Sequence, residues 1–141
     1  MVTRFLLDSN ICIELLRGRG AALVPRLRRH AIDEIGISTI TLAELQHGAA
    51  KSARPARHAA LLAGFCAPLA ILVFDSAAAE AYGRVRAELE RSGTPIGPLD
   101  TLIAGHAVAL GVTLVTNNTR EFTRVAGLRI ENWLTKSEPR P

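Results

Sequence analysis

Five residues carry the chemistry that this chain offers: Asp8, Glu44, Asp100, Asn118 and Glu121. Asp8 closes the apolar run Phe5-Leu6-Leu7 and precedes Ser9-Asn10. Glu44 stands within Leu42-Ala43-Glu44-Leu45, and Asp100 heads an apolar segment over residues 99–110. Asn118 and Glu121 follow the run Thr113-Leu114-Val115-Thr116. Taken singly, each has an ordinary explanation. Asp8 and Asp100 suit helix N-caps, worth about 1 kcal/mol. Glu44 suits a solvated helix face, and Asn117-Asn118 a turn. Taken together they suggest one depression, because carboxylates that share a depression repel each other and raise their own pKa values. A hard divalent cation relieves that repulsion. Mg²⁺ prefers oxygen ligands and keeps part of its water shell. Such an ion activates water and stabilises a phosphodiester under attack. The expected metal ligands are Asp8, Glu44, Asp100 and Glu121, and the expected catalytic set adds Asn118. Ser9 and Thr116 are hydroxyls that can orient a carboxylate or a water.

The elements that must position these residues alternate. Short strands are expected at residues 4–7, 35–38, 70–74, 113–116 and 128–131. Helices are expected at residues 11–17, 21–29, 39–48, 54–66, 76–91 and 99–110, with a helical turn at 121–124. Ser76 is the expected cap of its helix, and Gly111 ends the helix before it. Residues 70–74 are an unbroken apolar run, which predicts burial on both faces. In the helix over 54–66, Ala59, Leu62, Ala63 and Cys66 share the expected inner face. Strand–helix alternation predicts an α/β fold: three α/β/α layers around a roughly five-stranded, mainly parallel sheet. Ligands of such sheets bind beyond the C-terminal strand ends, where the acidic residues fall. One domain over residues 1–134 and a loose tail over 135–141 complete the expectation.

Composition bounds the rest. With 141 residues, 48% hydrophobic and 21% charged, the chain has enough apolar material for one globular core. Aromatics make up only 4%, so the core is aliphatic. The formal net charge is +4, carried mostly by Arg, which favours a polyanionic partner, nucleic acid first. Cys12 and Cys66 are too far apart in sequence for a CxxC pair and read as buried free thiols. The N-terminal apolar run is too short for a signal peptide. The longest apolar run, residues 67–74, is far short of a membrane span. A soluble, cytoplasmic protein with no membrane contact is expected. Its apolar content also predicts a homodimer.

Three weaker signals stand beside the acids. Glu44 and His47 form an ExxH pair, but the second ExxH of a di-iron site is absent from the sequence. His106 sits inside an apolar helix and reads as a core histidine. Arg17, Arg19, Arg26, Arg28 and Arg29 form a basic stretch suited either to phosphate or to solvent.

Four blocks of the chain resemble the PIN-domain ribonuclease family, and more narrowly its VapC-type toxins of type II toxin–antitoxin systems. They are Leu6-Leu7-Asp8-Ser9-Asn10, Ser38-Thr39-Ile40-Thr41-Leu42-Ala43-Glu44-Leu45, Gly97-Pro98-Leu99-Asp100-Thr101-Leu102-Ile103-Ala104 and Leu114-Val115-Thr116-Asn117-Asn118-Thr119-Arg120-Glu121-Phe122. Their order and spacing run from about Phe5 to Trp133. The resemblance implies a parallel sheet flanked by helices and hydrolysis of RNA, tRNA among the substrates, with Mg²⁺ or Mn²⁺ held by acidic residues. It implies a cognate VapB-type antitoxin, through which alone the chain would meet DNA. Asp8, Glu44 and Asp100 match the first three acidic positions of the family. Asn118 stands where many members have Asp, and Glu121 supplies a carboxylate three residues on, so the fourth position is open between them. Two other readings compete. A receiver-type signalling module wants a pair of acids after the first strand and a Lys after the last; here only Asp8 stands at the first place, and the last strand is followed by Asn132-Trp133. A PIN-like RNA-binding scaffold without catalysis is favoured only by Asn118.

Overall fold

The computed structural model describes residues 2–134, and the expected tail over 135–141 lies outside the described residues. Five short strands form one sheet: β1 (Phe5–Leu7), β2 (Ile35–Ser38), β3 (Ala70–Leu72), β4 (Thr113–Val115) and β5 (Arg129–Glu131). Their order is β3-β2-β1-β4-β5 and every pairing is parallel. The helices are α1 (Ser9–Leu16), α2 (Val24–Leu27), α3 (Thr39–Ala50), α4 (Pro55–Cys66), α5 (Ser76–Arg91), α6 (Pro98–Leu110) and α7 (Thr119–Phe122). The expected α/β/α arrangement is therefore the observed one, with every strand parallel.

Alternation along the strands divides the core in two. Phe5, Leu7, Ile35, Ile37 and Val115 point to one face, where they pack with Ile11, Cys12, Leu45, Leu62 and Trp133. Leu6 and Leu114 point to the other, against Val85, Leu89, Ile103, Ala104 and Ala107. On that second face α5 and α6 approach closely. A Cβ on Gly105 would stand 2.7 Å from the Cα of Tyr82, so only glycine fits the crossing. Gly111 ends α6 in the left-handed region at φ 68°, as its sequence position predicts.

Several local expectations are corrected. The helix expected over 21–29 shrinks to α2, because Pro25 is tolerated only in a first turn and so forces the start to Val24. Asp75, not Ser76, caps α5, its Oδ1 accepting from the Ala78 N–H at 3.0 Å. Gly97 is the cap residue of α6, Pro98 opens the helix and Asp100 lies in its first turn, so Asp100 caps nothing. Strand β3 is not buried on both faces. It is an edge strand, with Ile71 37% exposed and Val73, just beyond its end, 69% exposed. An apolar run gives the composition of a strand but not its rank in the sheet. On α4, Leu62 is buried while Ala59 and Ala63 are exposed. Both cysteines are free. Among the described residues no helix is long and apolar enough to cross a membrane.

Candidate active site

The sheet order reverses direction between β1 and β4, and in such sheets the crevice that takes ligands lies there, beyond the strand ends. Asp8 leaves β1 at this point. It is 3% exposed, and its two oxygens are both engaged. Oδ1 accepts from the Ile11 N–H at 3.0 Å, which caps α1. Oδ2 accepts a short 2.5 Å bond from the hydroxyl of Thr116, just past β4. The expected cap role of Asp8 is thus real, and it uses only one oxygen. Burial pushes the Asp8 carboxyl above its ordinary value; the Thr116 and Ile11 bonds offset part of that shift, and Glu44 adds to it.

Thr116 also organises the residue that follows. Its Oγ1 accepts from the Asn118 N–H at 2.9 Å, which shapes the turn into α7. Asn118 then extends its Nδ2 toward Asp100 Oδ2, at 3.5 Å. Glu121, half-buried in α7, contributes negative charge to the same place. From the other side of the crevice, Glu44 of α3 accepts a 2.6 Å bond at Oε1 from the Ser9 hydroxyl, at the start of α1.

Asp100 is where these fields meet. Partial burial, followed by repulsion from Asp8, Glu121 and Glu44, pushes its carboxyl up to about 6. Asp8, Glu44 and Glu121 therefore all act on Asp100, and Glu44 also on Asp8. Asn118 and Glu121 both reach it, Asn118 by a side-chain contact and Glu121 by charge.

The donor set is all oxygen and anionic, which fits a hard divalent cation rather than a soft one. Among the described residues no three acidic, histidine or cysteine side chains stand ready-made around an ion. An ion here would therefore be held by a small number of carboxylates together with its own waters, the habit of Mg²⁺.

The weaker sequence signals fall away from this crevice. His47 is exposed on α3 and forms no site with Glu44. His106 is 1% exposed in the core, its Nδ1 bonded to Ser38 Oγ at 2.9 Å. Burial pushes the Cys12 and Cys66 thiols up, so neither is an available thiolate. Of the basic stretch, Arg19 pairs with Glu14 at 2.8 Å, while Arg17, Arg28 and Arg29 are exposed. Ser38, which caps α3 through the Ile40 N–H, escaped the sequence reading. A serine directly before a helical segment was the signal that could have found it.

Residues 5–128 match the PIN domain. The chain belongs to the PIN-domain family. Within this family it is 47% identical over 130 residues to the tRNA(fMet)-specific endonuclease VapC of Shigella flexneri, covering 92% of this chain and 98% of that protein. It is 40% identical over 131 residues to Ribonuclease VapC2 of Haemophilus influenzae, covering 93% and 98% of the two chains. Its fold superposes on the DNA-bound VapBC complex of Salmonella typhimurium with a TM-score of 0.90 at 45% identity, covering 94% of this PIN domain and 99% of that chain. These matches place the chain in the VapC-type branch.

Proposed function

We propose that this chain is a Mg²⁺-dependent endoribonuclease toxin, neutralised by a cognate VapB-type antitoxin. The observation that carries the reading is the convergence of Asp8, Glu44 and Glu121 on Asp100, whose carboxyl is pushed up to about 6. A fold pays for such repulsion where function needs it. A relative named as a tRNA(fMet)-specific endonuclease supports tRNA as the substrate class.

Asp8, Asp100, Glu44 and Glu121 are the residues that would hold the ion, some directly and the others through its waters, with Mn²⁺ as a substitute for Mg²⁺. When bound, the ion supplies an activated water and offsets the charge of the phosphodiester in its transition state. The protein supplies orientation. Thr116 fixes Asp8, and Ser9 fixes Glu44, so neither carboxylate must reorganise during the reaction. Asn118 places an amide N–H beside Asp100, where it steadies the carboxylate.

Arg pairs bidentately with carboxylate, so the antitoxin is expected to cover the crevice and to set a basic side chain against Asp8 and Asp100. The solved VapBC relatives, two of them bound to DNA, support this partner and DNA contact through it. A homodimer and a cytoplasmic location, where tRNA is found, belong to the same reading. The test is growth and cleavage together. Expression alone should arrest growth, co-expression of the adjacent small gene should restore it, and purified protein should cut RNA with Mg²⁺. A chain that is harmless at good expression would defeat the toxin reading.

A further inference from the structure

We propose that His106 is a positioning residue, whose hydrogen bond to Ser38 sets the spacing between the two helices that carry Glu44 and Asp100. The inference rests on the metal-nuclease reading of the crevice.

Ser38 is fully buried at the start of α3, and its hydroxyl has two partners. It accepts from the Ile40 N–H at 3.0 Å and meets His106 Nδ1 of α6 at 2.9 Å. The next residue is tied as well, because Thr39 Oγ1 accepts from the Phe74 N–H at 3.1 Å. Phe74 in turn sets its ring edge-on to His106, with centroids 5.3 Å apart. The start of α3 is thus held to α6 by one bond and to the chain leaving β3 by another.

His106 Nε2 is buried without a partner of good hydrogen-bond geometry, the Val73 carbonyl acting on the ring only weakly. An aliphatic side chain would fill the same space without leaving a polar atom unpaired. The ring is therefore suited to the Nδ1 bond rather than to packing alone. Burial lowers its pKa, against the opposing influence of Asp75 and the Val73 carbonyl, so the ring is neutral near pH 7 and brings no charge to the acids.

The lever arms are matched. Glu44 lies six residues beyond Ser38 on α3, and Asp100 six residues before His106 on α6. Each acid is then about 9 Å along its helix from the Ser38–His106 bond. A tilt of about 10° at that bond would move a carboxylate by roughly 1.5 Å. Misplacement on this scale costs on the order of 10²-fold in rate.

Two isosteres test the proposal. The amide of His106→Asn falls near the Nδ1 position, whereas that of His106→Gln falls near Nε2. For each variant kcat and KM for RNA cleavage are measured, with the melting temperature in EDTA and its gain on adding Mg²⁺. His106→Gln should lose about 10- to 100-fold in kcat, with KM little changed and a smaller Mg²⁺ gain. His106→Asn should recover to within about threefold of the parent. Adding Ser38→Ala to His106→Gln should cost little more in kcat, since the bond is already gone, while the melting temperature falls further because the Ile40 N–H loses its cap. Equal behaviour of Asn and Gln, or a Gln variant that is merely less stable in EDTA with parental kcat and Mg²⁺ gain, would overturn the proposal. Should neither His106 variant fold, Ser38→Thr against Ser38→Ala gives the same contrast: the retained hydroxyl keeps kcat, and parental kcat in Ser38→Ala refutes the strut. A parent protein without any Mg²⁺ gain would defeat the metal reading instead, while the Asn–Gln contrast in kcat still reads the strut.

Discussion

Asp100→Asn separates stability from activity more sharply than any other single change. The folded Asp100 carboxyl titrates at about 6, against an ordinary 3.8. A rise of this size corresponds to about 3 kcal/mol between the two protonation states. The group is only half-buried, and solvent screening reduces this to roughly 1–2 kcal/mol. Because the folded value is the higher one, the native state binds the proton more tightly than the unfolded chain does. Stability from this group is fully present below about pH 3.8 and is lost as pH rises through about 6. At pH 7.5 in EDTA the parent therefore bears the whole repulsion, and the Asn variant is relieved of it. Asn at this position gives up no cap, since Asp100 caps nothing. The melting temperature should rise by about 3–7 °C. The advantage of the variant should shrink as pH falls from about 7 to about 4. RNA cleavage should nonetheless drop on the order of 10²–10³-fold, equivalent to roughly 3–4 kcal/mol of transition-state stabilisation. Thermal melts across pH, with single-turnover cleavage on the same samples, read both. A variant no more stable than the parent at pH 7.5, with the same pH slope, would refute the electrostatic account of the crevice.

Other outcomes follow from the same geometry. Glu44→Gln should keep the melting temperature within a few degrees, the Ser9 hydroxyl still finding an oxygen, while cleavage falls on the order of 10²-fold; unchanged cleavage would remove Glu44 from the site. Thr116→Val strips Asp8 Oδ2 and the Asn118 N–H of a partner together, so it should cost about 1–3 kcal/mol in denaturant unfolding. Losing that bond should also move the acid limb of the pH–rate profile upward, because the bond holds the Asp8 carboxyl down; a profile that stays put or moves down contradicts this. Asn118→Ala and Glu121→Gln, compared at equal melting temperature, decide the fourth position: the larger loss of Mg²⁺-dependent cleavage marks the residue nearer the ion.

What could be read from the sequence was set by local rules. Strand–helix alternation and the placement of acids at strand ends gave the layers and the crevice, because both depend on short-range periodicity and chain direction. Asp8 as a cap followed from its place before Ser9-Asn10, and it holds at 3.0 Å. What escaped depended on partners distant in sequence. The apolar run of β3 did not reveal an edge, since that depends on which strands flank it. The shift of the α5 cap by one residue turned on the extended backbone of Asp75, which Ser76 could equally have adopted. Asp100 was placed as a cap because it heads an apolar run, but Pro98 had already opened the helix. The Thr116–Asp8 bond spans 108 residues and the His106–Ser38 bond 68. Such pairs follow from strand order, and no local pattern encodes them.

Whether this crevice hydrolyses RNA with a metal-activated water is decided by the chemistry of the cut end. Purified protein, free of antitoxin, is incubated with tRNA in Mg²⁺, in Mn²⁺ and in EDTA, and the termini of the fragments are determined. Cleavage is expected with either metal and not in chelator, with fragments bearing 5′-phosphate and 3′-hydroxyl ends. Cleavage at full rate in EDTA, or a 2′,3′-cyclic phosphate on the upstream fragment, would mean that the ribose hydroxyl is the nucleophile and that the acidic crevice is not where the reaction occurs.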